Sequence, residues 1–521
     1  MRIPRRMPII MSSSSTISPY HNWTREELIA RLQQIDKDYS PQGKQDSQSA
    51  AFNFAAHPRR KIALKFCYAG LDYNGLAFQK DLTPLPTVEG VLFDALAKAR
   101  LIDPASGFEG CGWERCGRTD KGVSAAGQVI SLWVRSNIRT QEHIEEANTP
   151  SGPTPADTTE PEDAEGSDDF PLMTDLEPSF SSSCVEDRTS STKEIPYIQV
   201  LNRVLPPTIR VLCWSPVSAS FSARFNCKYR HYKYFFPATA DLDIERMQDA
   251  AFRIVGSHDF RNLCTMDGSK QIENFTRHVM RAEISQVAPD ESPTGVGAMY
   301  VFDLIGNAFL YNQVRSIMAI LFLVGTGLEE PHVMSSLMNV DPTNPLPPLK
   351  PGEPTEIVQC RPSYQMADGL PLALWDCGYA DGDVQWQADD GNASSDKDSP
   401  MTTNVRLQLA SIYTRSRIRT TLDGHFLRAA AQFHELPYSP LPITSEADKD
   451  AVLKFQKNVM GIPIGGGLHI RTSKYRPLLG RERMEPASVV NERWRRGRGK
   501  KRWDERVARQ ARGDQIDDGD E

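Results

Sequence analysis

CGRTDKGVSAAGQVISLWV, residues 116–134, places a cation and a carboxylate, Arg118 and Asp120, two positions apart in a glycine-flanked loop. The loop runs straight into Val129–Val134, a short apolar run that reads as a buried strand. A carboxylate placed there and held by the adjacent arginine stays ionised in a cleft that otherwise disfavours charge. An aspartate in an ordinary surface turn has the same spelling, because a short motif on its own matches by chance. The rest of the chain decides between the two.

Upstream, Ile62, Leu64, Phe66 and Tyr68 alternate with Ala63, Lys65 and Cys67, the pattern of a strand with one more apolar face. After a glycine- and asparagine-containing loop, Thr87 is placed to cap a helix with Glu89 in its first turn. Val88, Val91, Leu92, Ala95 and Leu96 share one face of that helix. Strand, helix, loop and strand make an α+β arrangement with the polar loop at the rim of the sheet.

Downstream, Ile198, Leu201 and Leu205 line a short helix stopped by Pro206 and Pro207, and residues 209–217 read as a strand. FSARFNCKYRHYKYFFP, residues 221–237, interleaves aromatics with arginines and lysines. Its second half alternates, so that Arg230, Tyr232 and Tyr234 face one way. Cations of this kind meet phosphates and aromatic faces stack on unpaired bases, although a plain core strand uses the same residues. A helix follows with Ile244, Met247, Ala251, Ile254 and Val255 on one face and Gly256 as its stop. Two strands, 278–287 and 299–305, precede the most hydrophobic helix, 309–324, whose stripe is Val314, Ile317, Met318 and Leu321. Residues 370–379 form a closing strand. Arg315 sits inside the apolar helix, so it either reaches a polar rim or serves as counter-charge to a carboxylate or phosphate. His258 and Asp259 have no second histidine at useful spacing, which argues against a hydrolase triad.

With 521 residues the chain has room for several domains, and its net charge of -7 hides local asymmetry. Residues 141–194 are acidic and rich in Ser, Thr and Pro, a composition expected to form a disordered insertion. The tail turns basic from Arg471, with a cluster from Arg495 to Arg502 suited to RNA binding or nuclear import, and ends acidic. Nine cysteines are scattered without paired metal spacing and read as reduced intracellular thiols. No apolar run reaches the length of a membrane span, and a soluble chain is expected. Arg2, Arg5 and Arg6 give the first twenty residues a faint transit-peptide character. These residues point to a lone nucleophilic or general-base aspartate in a nucleic-acid-binding α+β protein, with no metal cluster and no phosphate-cradling loop.

The motifs CGRTDKGVSAAGQVISL (116–132), FSARFNCKYRHYKYFF (221–236), GSHDF (256–260), NAFLYNQVRSIMAILFLVGTG (307–327) and ADGLPLALWDCGY (367–379) occur in an order that resembles the TruA-type tRNA pseudouridine synthases. The resemblance covers about residues 60–140 and 195–380. LKFCYAGLDYNGLAFQ, IPYIQVLNRVLP and RNLCTMD are most similar to the eukaryotic group that modifies uridines 38 and 39 of the tRNA anticodon stem-loop.

The resemblance implies the pseudouridine synthase fold: two strand–helix–strand, ferredoxin-like halves forming a mixed, largely antiparallel sheet flanked by helices, with a central active-site cleft. It implies that Asp120 is the catalytic aspartate, Arg118 its salt-bridge partner, Tyr232 the tyrosine that stacks on the target base, and Arg315 the arginine that pairs near the aspartate. It implies a tRNA partner, no membrane, and neither a metal nor an organic cofactor. The expected divisions are a polar, disordered N-terminal extension (1–58), an N-terminal catalytic half (59–215) carrying the insertion, a C-terminal half (216–381), a polar linker (382–404), a helical extension (405–470) and the tail (471–521). The expected location is nucleus and cytoplasm, with a mitochondrial pool left open by the N-terminus. Lys121 stands where bacterial relatives carry a small residue, and Phe78 where many carry Trp. The insertion and tail have no counterpart in the compact bacterial enzymes. Those enzymes are homodimers, and the oligomeric state here is open. A catalytically inactive RNA-binding relative and an Asp-dependent nucleoside hydrolase are the alternatives.

Overall fold

The computed structural model describes residues 52–138, 193–238, 242–287, 298–388, 405–434, 460–472 and 474–511. The core of the acidic insertion, most of the linker and nearly all of the N-terminal extension lie outside them. Among the described residues no helix is long and apolar enough to cross a membrane.

One large sheet carries the fold. Its first half pairs β4 (Ile209–Pro216), β1 (Arg59–Tyr68) and β3 (Ser124–Arg135) antiparallel, with the two-residue β2 (Glu114–Arg115) beside β3. Its second half pairs β9 (Leu372–Gly378), β5 (Tyr229–Pro237), β8 (Met299–Gly306), β7 (Thr276–Gln286) and β6 (Gly256–Asp259), again antiparallel. The halves meet at the one parallel ladder, where Ser124 and Ala125 of β3 pair with Ala373 and Leu374 of β9. A mixed, largely antiparallel sheet is therefore what forms. The VISLWV run lies deep inside it, where a central strand is covered on both faces and its apolar residues run together.

In the first half, α1 (Val88–Lys98) is capped by Thr87, whose hydroxyl accepts from the Gly90 amide at 3.2 Å, and it buries Val88, Leu92, Ala95 and Leu96. Glu89 is fully buried, against expectation for a first-turn acid. It accepts from Trp113 Nε1, Arg115 Nε and the Phe78 amide at 2.6–2.8 Å, which supplies the partners that burial demands. The next helix, α2 (Tyr197–Val204), packs on β4. Glu194, counted from the sequence with the solvated insertion, is a structural anchor. It accepts from the Asn137 and Ile195 amides at 3.0 and 2.9 Å and binds Arg60 Nη1 at 2.7 Å, so both ends of the inserted segment are fastened together. Burial alone would push its carboxyl up, and these donors bring it below the usual range.

The second half is covered by α3 (Ile244–Phe252), α4 (Gln313–Gly325) and α5 (Val333–Met338). The apolar helix starts at Gln313, later than the sequence suggests, because Asn312 adopts a left-handed conformation (φ 60°). Its eight large buried side chains, from Val314 to Val324, represent roughly 12–24 kcal/mol of gross transfer free energy, ample to carry one arginine at its first turn. Gly256 does not end a helix but opens β6, since α3 stops at Phe252.

Beyond the sheet, α6 (Val405–Ala431) forms the first part of the expected helical extension. Residues 460–470, placed in the helical extension from sequence, instead belong to a hairpin of β10 (Met460–Gly465) and β11 (Leu468–Thr472). The basic tail is packed for much of its length. Leu478 is buried, Glu329 accepts from the Leu478 amide at 2.6 Å and from the Tyr475 hydroxyl, and two helices follow, α7 (Ala487–Arg496) and α8 (Lys500–Ala511).

Candidate active site at the sheet seam

The seam is crossed by one transverse row of residues. Ala125 pairs with Leu374, Leu374 with Tyr232, and Tyr232 with Leu304. Asp120 lies five residues before Ala125 of this row, in the loop that ends where β3 begins. The register therefore brings the loop of the first half against the aromatic strand of the second.

The loop is held mainly by backbone. Leu76 donates to the Thr119 carbonyl at 3.2 Å, the Val123 amide closes a turn on the Asp120 carbonyl at 3.1 Å, and Thr119 Oγ1 shares a buried 2.6 Å hydrogen bond with the Tyr68 hydroxyl. Gly70 lies so close that a Cβ there would overlap the Val123 carbonyl, which is why this position carries no side chain. From the other half, Arg230 donates through Nη2 to the Cys116 carbonyl at 2.9 Å and through Nη1 to the Asn307 carbonyl at 2.8 Å.

Asp120 Oδ2 is 3.3 Å from Arg315 Nη1, an ion pair that is mostly but not wholly withdrawn from solvent. Arg315 is itself fixed: its Nε donates to the Ala367 carbonyl at 2.8 Å, and the Ala367 amide returns a 3.1 Å bond to the Arg315 carbonyl. Burial raises the Asp120 carboxyl above its usual range, and the charges of Arg315 and Lys270 oppose that rise. Tyr232 is nearly buried and is set edge-on to Phe309, ring centroids 5.1 Å apart at 87°. Asp120, Arg118, Tyr232 and Arg315 all line one cleft of about 1060 Å³.

Arg118, expected beside Asp120, lines the same cleft. The cation that meets Asp120 is Arg315, while Arg118 is exposed at the cleft lining. Of the two readings of Arg315, counter-charge to a carboxylate is the one realised.

Several contributors have no sequence signature. Lys270 lies in an irregular loop, and its ammonium sits 4.8 Å from the centre of the Tyr311 ring at the cleft. That loop is backed by α7, where Asn491 Nδ2 donates to the Ile272 carbonyl at 3.0 Å. On the opposite side the β10–β11 hairpin backs the Ala367–Asp368 turn. The Asp368 amide donates to the Ile464 carbonyl at 2.7 Å, and the Tyr234 hydroxyl donates to the Asp368 carbonyl at 3.0 Å. Gly465 (φ 82°) touches that hydroxyl so closely that a Cβ would overlap it. A run of three glycines in a polar extension gives no hint of such a contact.

Six arginines and lysines face the cleft against three aspartates (Arg115, Arg118, Lys121, Arg230, Lys270 and Arg315; Asp120, Asp267 and Asp368), a balance suited to a polyanion. A second hollow of about 690 Å³ contains His258 and Asp259. There Asp259 is bound by Arg261 at 2.6 Å and His258 Nε2 lies 2.9 Å from the Val255 carbonyl, so neither is disposed for acid–base work.

Residues 250–380 match the family described as tRNA pseudouridine synthase. The chain is 33% identical to the tRNA pseudouridine(38/39) synthase of Saccharomyces cerevisiae over 96% of this chain and 98% of that protein. It is 39% identical to the human tRNA pseudouridine(38/39) synthase over 69% of this chain and 66% of that one. It is also 27% identical to the tRNA pseudouridine synthase A of Methanothermobacter thermautotrophicus, over 56% of this chain and 78% of that protein.

Proposed function

The chain belongs to the TruA-type tRNA pseudouridine synthases, which are isomerases, and from that premise we propose that it converts uridine to pseudouridine at positions 38 and 39 of the tRNA anticodon stem-loop. The observation that carries the catalytic part is the Asp120–Arg315 pair, 3.3 Å long, lining the same cleft as Tyr232.

In this reading the target uridine leaves its stack at a cost of about a few kcal/mol and enters the cleft. Tyr232 offers its ring to the base, and the surrounding cations meet the flanking phosphates. Asp120 acts on the nucleotide as nucleophile or general base. The bond from ribose to N1 breaks, the base turns within the pocket, C5 bonds to the ribose carbon, the C5 proton is lost to a base, and N1 takes up a proton, so the product is an isomer of the substrate. Arg315 holds the carboxylate charged and oriented throughout. Arg118, at the lining, is assigned to the RNA backbone.

The test is to incubate the protein with unmodified tRNA and map pseudouridine by carbodiimide-primer extension. Product at 38 and 39 is expected, and Asp120→Asn should lower its formation by at least about 10³-fold while tRNA still binds. Pseudouridine formed at an undiminished rate by Asp120→Asn would remove the catalytic assignment, and free uracil in place of product would favour a hydrolase.

A further inference from the structure

Three thiols meet directly behind the catalytic loop. Cys116 opens that loop, Cys227 lies two residues before β5, and Cys377 is on β9. Their sulfur atoms all lie within 4.8 Å of one another. Cys116 and Cys377 are buried and Cys227 is partly exposed. The isomerisation described above uses none of them.

We propose that Cys116, Cys227 and Cys377 are three ligands of one thiophilic divalent cation, for which zinc has the fitting chemistry. Thiolates about 2.3 Å from a common zinc lie about 3.8 Å apart, which is compatible with three sulfur atoms within 4.8 Å of one another. Cysteines that merely fill a core have no reason to converge at sulfur, whereas here three separate chain segments turn theirs to one point. Binding releases the three thiol protons to solvent and leaves a zinc–trithiolate group with one net negative charge. A buried positive charge stands ready to offset it. Arg230 is 4% exposed, bonds the Cys116 carbonyl at 2.9 Å and is the strand partner of Cys377. Three protein ligands leave a fourth position for water or another donor, and Cys227 is the least buried of the three. Such an ion would tie the first residue of the Asp120 loop to two elements of the other half, across a seam whose own ladder pairs only two residues on each strand.

The measurement is metal content of the full-length chain purified without chelator, followed by cobalt(II) titration of the metal-stripped chain. About one zinc per chain is expected, together with a sulfur-to-cobalt charge-transfer band that added zinc abolishes. Both should be lost in Cys227→Ser and kept in Cys213→Ser, whose thiol lies outside the cluster. Less than about 0.1 equivalent of metal with no charge-transfer band in the unmodified chain would overturn the proposal. So would a band that persists in both Cys227→Ser and Cys377→Ser, or a disulfide joining two of the three thiols in the non-reduced intact protein. The unmodified chain decides first, so a variant that fails to fold cannot rescue the idea. Pseudouridine formation is not the readout, and the result is independent of the assignment of Asp120.

Discussion

In the first half of the sheet the Asp120 carboxylate rides on an irregular loop, fastened by backbone hydrogen bonds and the Thr119–Tyr68 contact. In the second half the groups that face it stand on regular elements: Tyr232 in the middle of β5 and Arg315 in the first turn of α4. A loop can bring a charge into a cleft at an angle no strand allows, but it holds that charge loosely. Strand and helix supply a rigid surface against which the charge is set. The 3.3 Å ion pair is where the loop side of the site meets the side built on strand and helix.

If that division is correct, removing the rigid partner should cost most after Asp120 itself. Arg315→Ala is expected to lower the rate of pseudouridine formation by about 10²–10³-fold, as loss of a preorganised charge does. It should also displace the pH profile. Arg315 opposes the rise that burial imposes on Asp120, so without it the carboxyl titrates at higher pH and the acid limb of the profile moves upward. An acid limb that stays in place would show that the pair does not set the ionisation of Asp120.

Tyr232 tests whether the strand side supplies a face or a hydroxyl. Tyr232→Leu should cost about 1–3 kcal/mol of base stacking, read in single-turnover rate and tRNA affinity, while Tyr232→Phe stays within a few-fold of the parent. Equal losses in the two variants would mean the hydroxyl is the working part.

The hairpin sharpens the comparison from outside the sheet. Gly465→Val forces a side chain into the Tyr234 hydroxyl and strains a left-handed residue. Turnover should fall by about 10-fold, with the thermal midpoint lowered and tRNA affinity nearly unchanged. Unaltered turnover would show that Arg315 keeps its place without the hairpin. The smallest effect is expected at the tail. Replacing the exposed Arg498, Lys500, Lys501 and Arg502 with alanine should flatten the salt dependence of tRNA binding by about 3 in log–log slope if all four meet phosphate. An unchanged slope would detach these residues from the RNA.

Legibility followed periodicity. β1, β3, β5, α1 and α4 were written in alternating or helical runs whose burial is one-sided or complete, and they appear within a few residues of their expected ends. The positions of Asp120, Tyr232 and Arg315 in a common cleft followed from motifs that sit on those elements. What escaped the sequence depends on contacts between distant segments. Lys270 and the β10–β11 hairpin act on the site from loops or extensions with no pattern of their own. Glu194 and Glu89 show the same thing in the core, since an acid's burial depends on donors up to 134 residues away. Adjacency along the chain is a poor guide to adjacency in space. Thiols judged by linear spacing hid a cluster for the same reason.

The bond from the Asp368 amide to the Ile464 carbonyl has a bearing on how the protein is born. Asp120, Tyr232 and Arg315 leave the ribosome well before the segment that braces them. At about 5–20 residues per second, the 345 residues from Asp120 to Gly465 take about 17–70 s to synthesise. Until then a nascent chain carries the charged and aromatic groups without their final support. A stalled or prematurely terminated product is thus an incomplete catalyst although it contains every residue assigned to the chemistry, and full translation becomes the step that commits the protein to act on RNA.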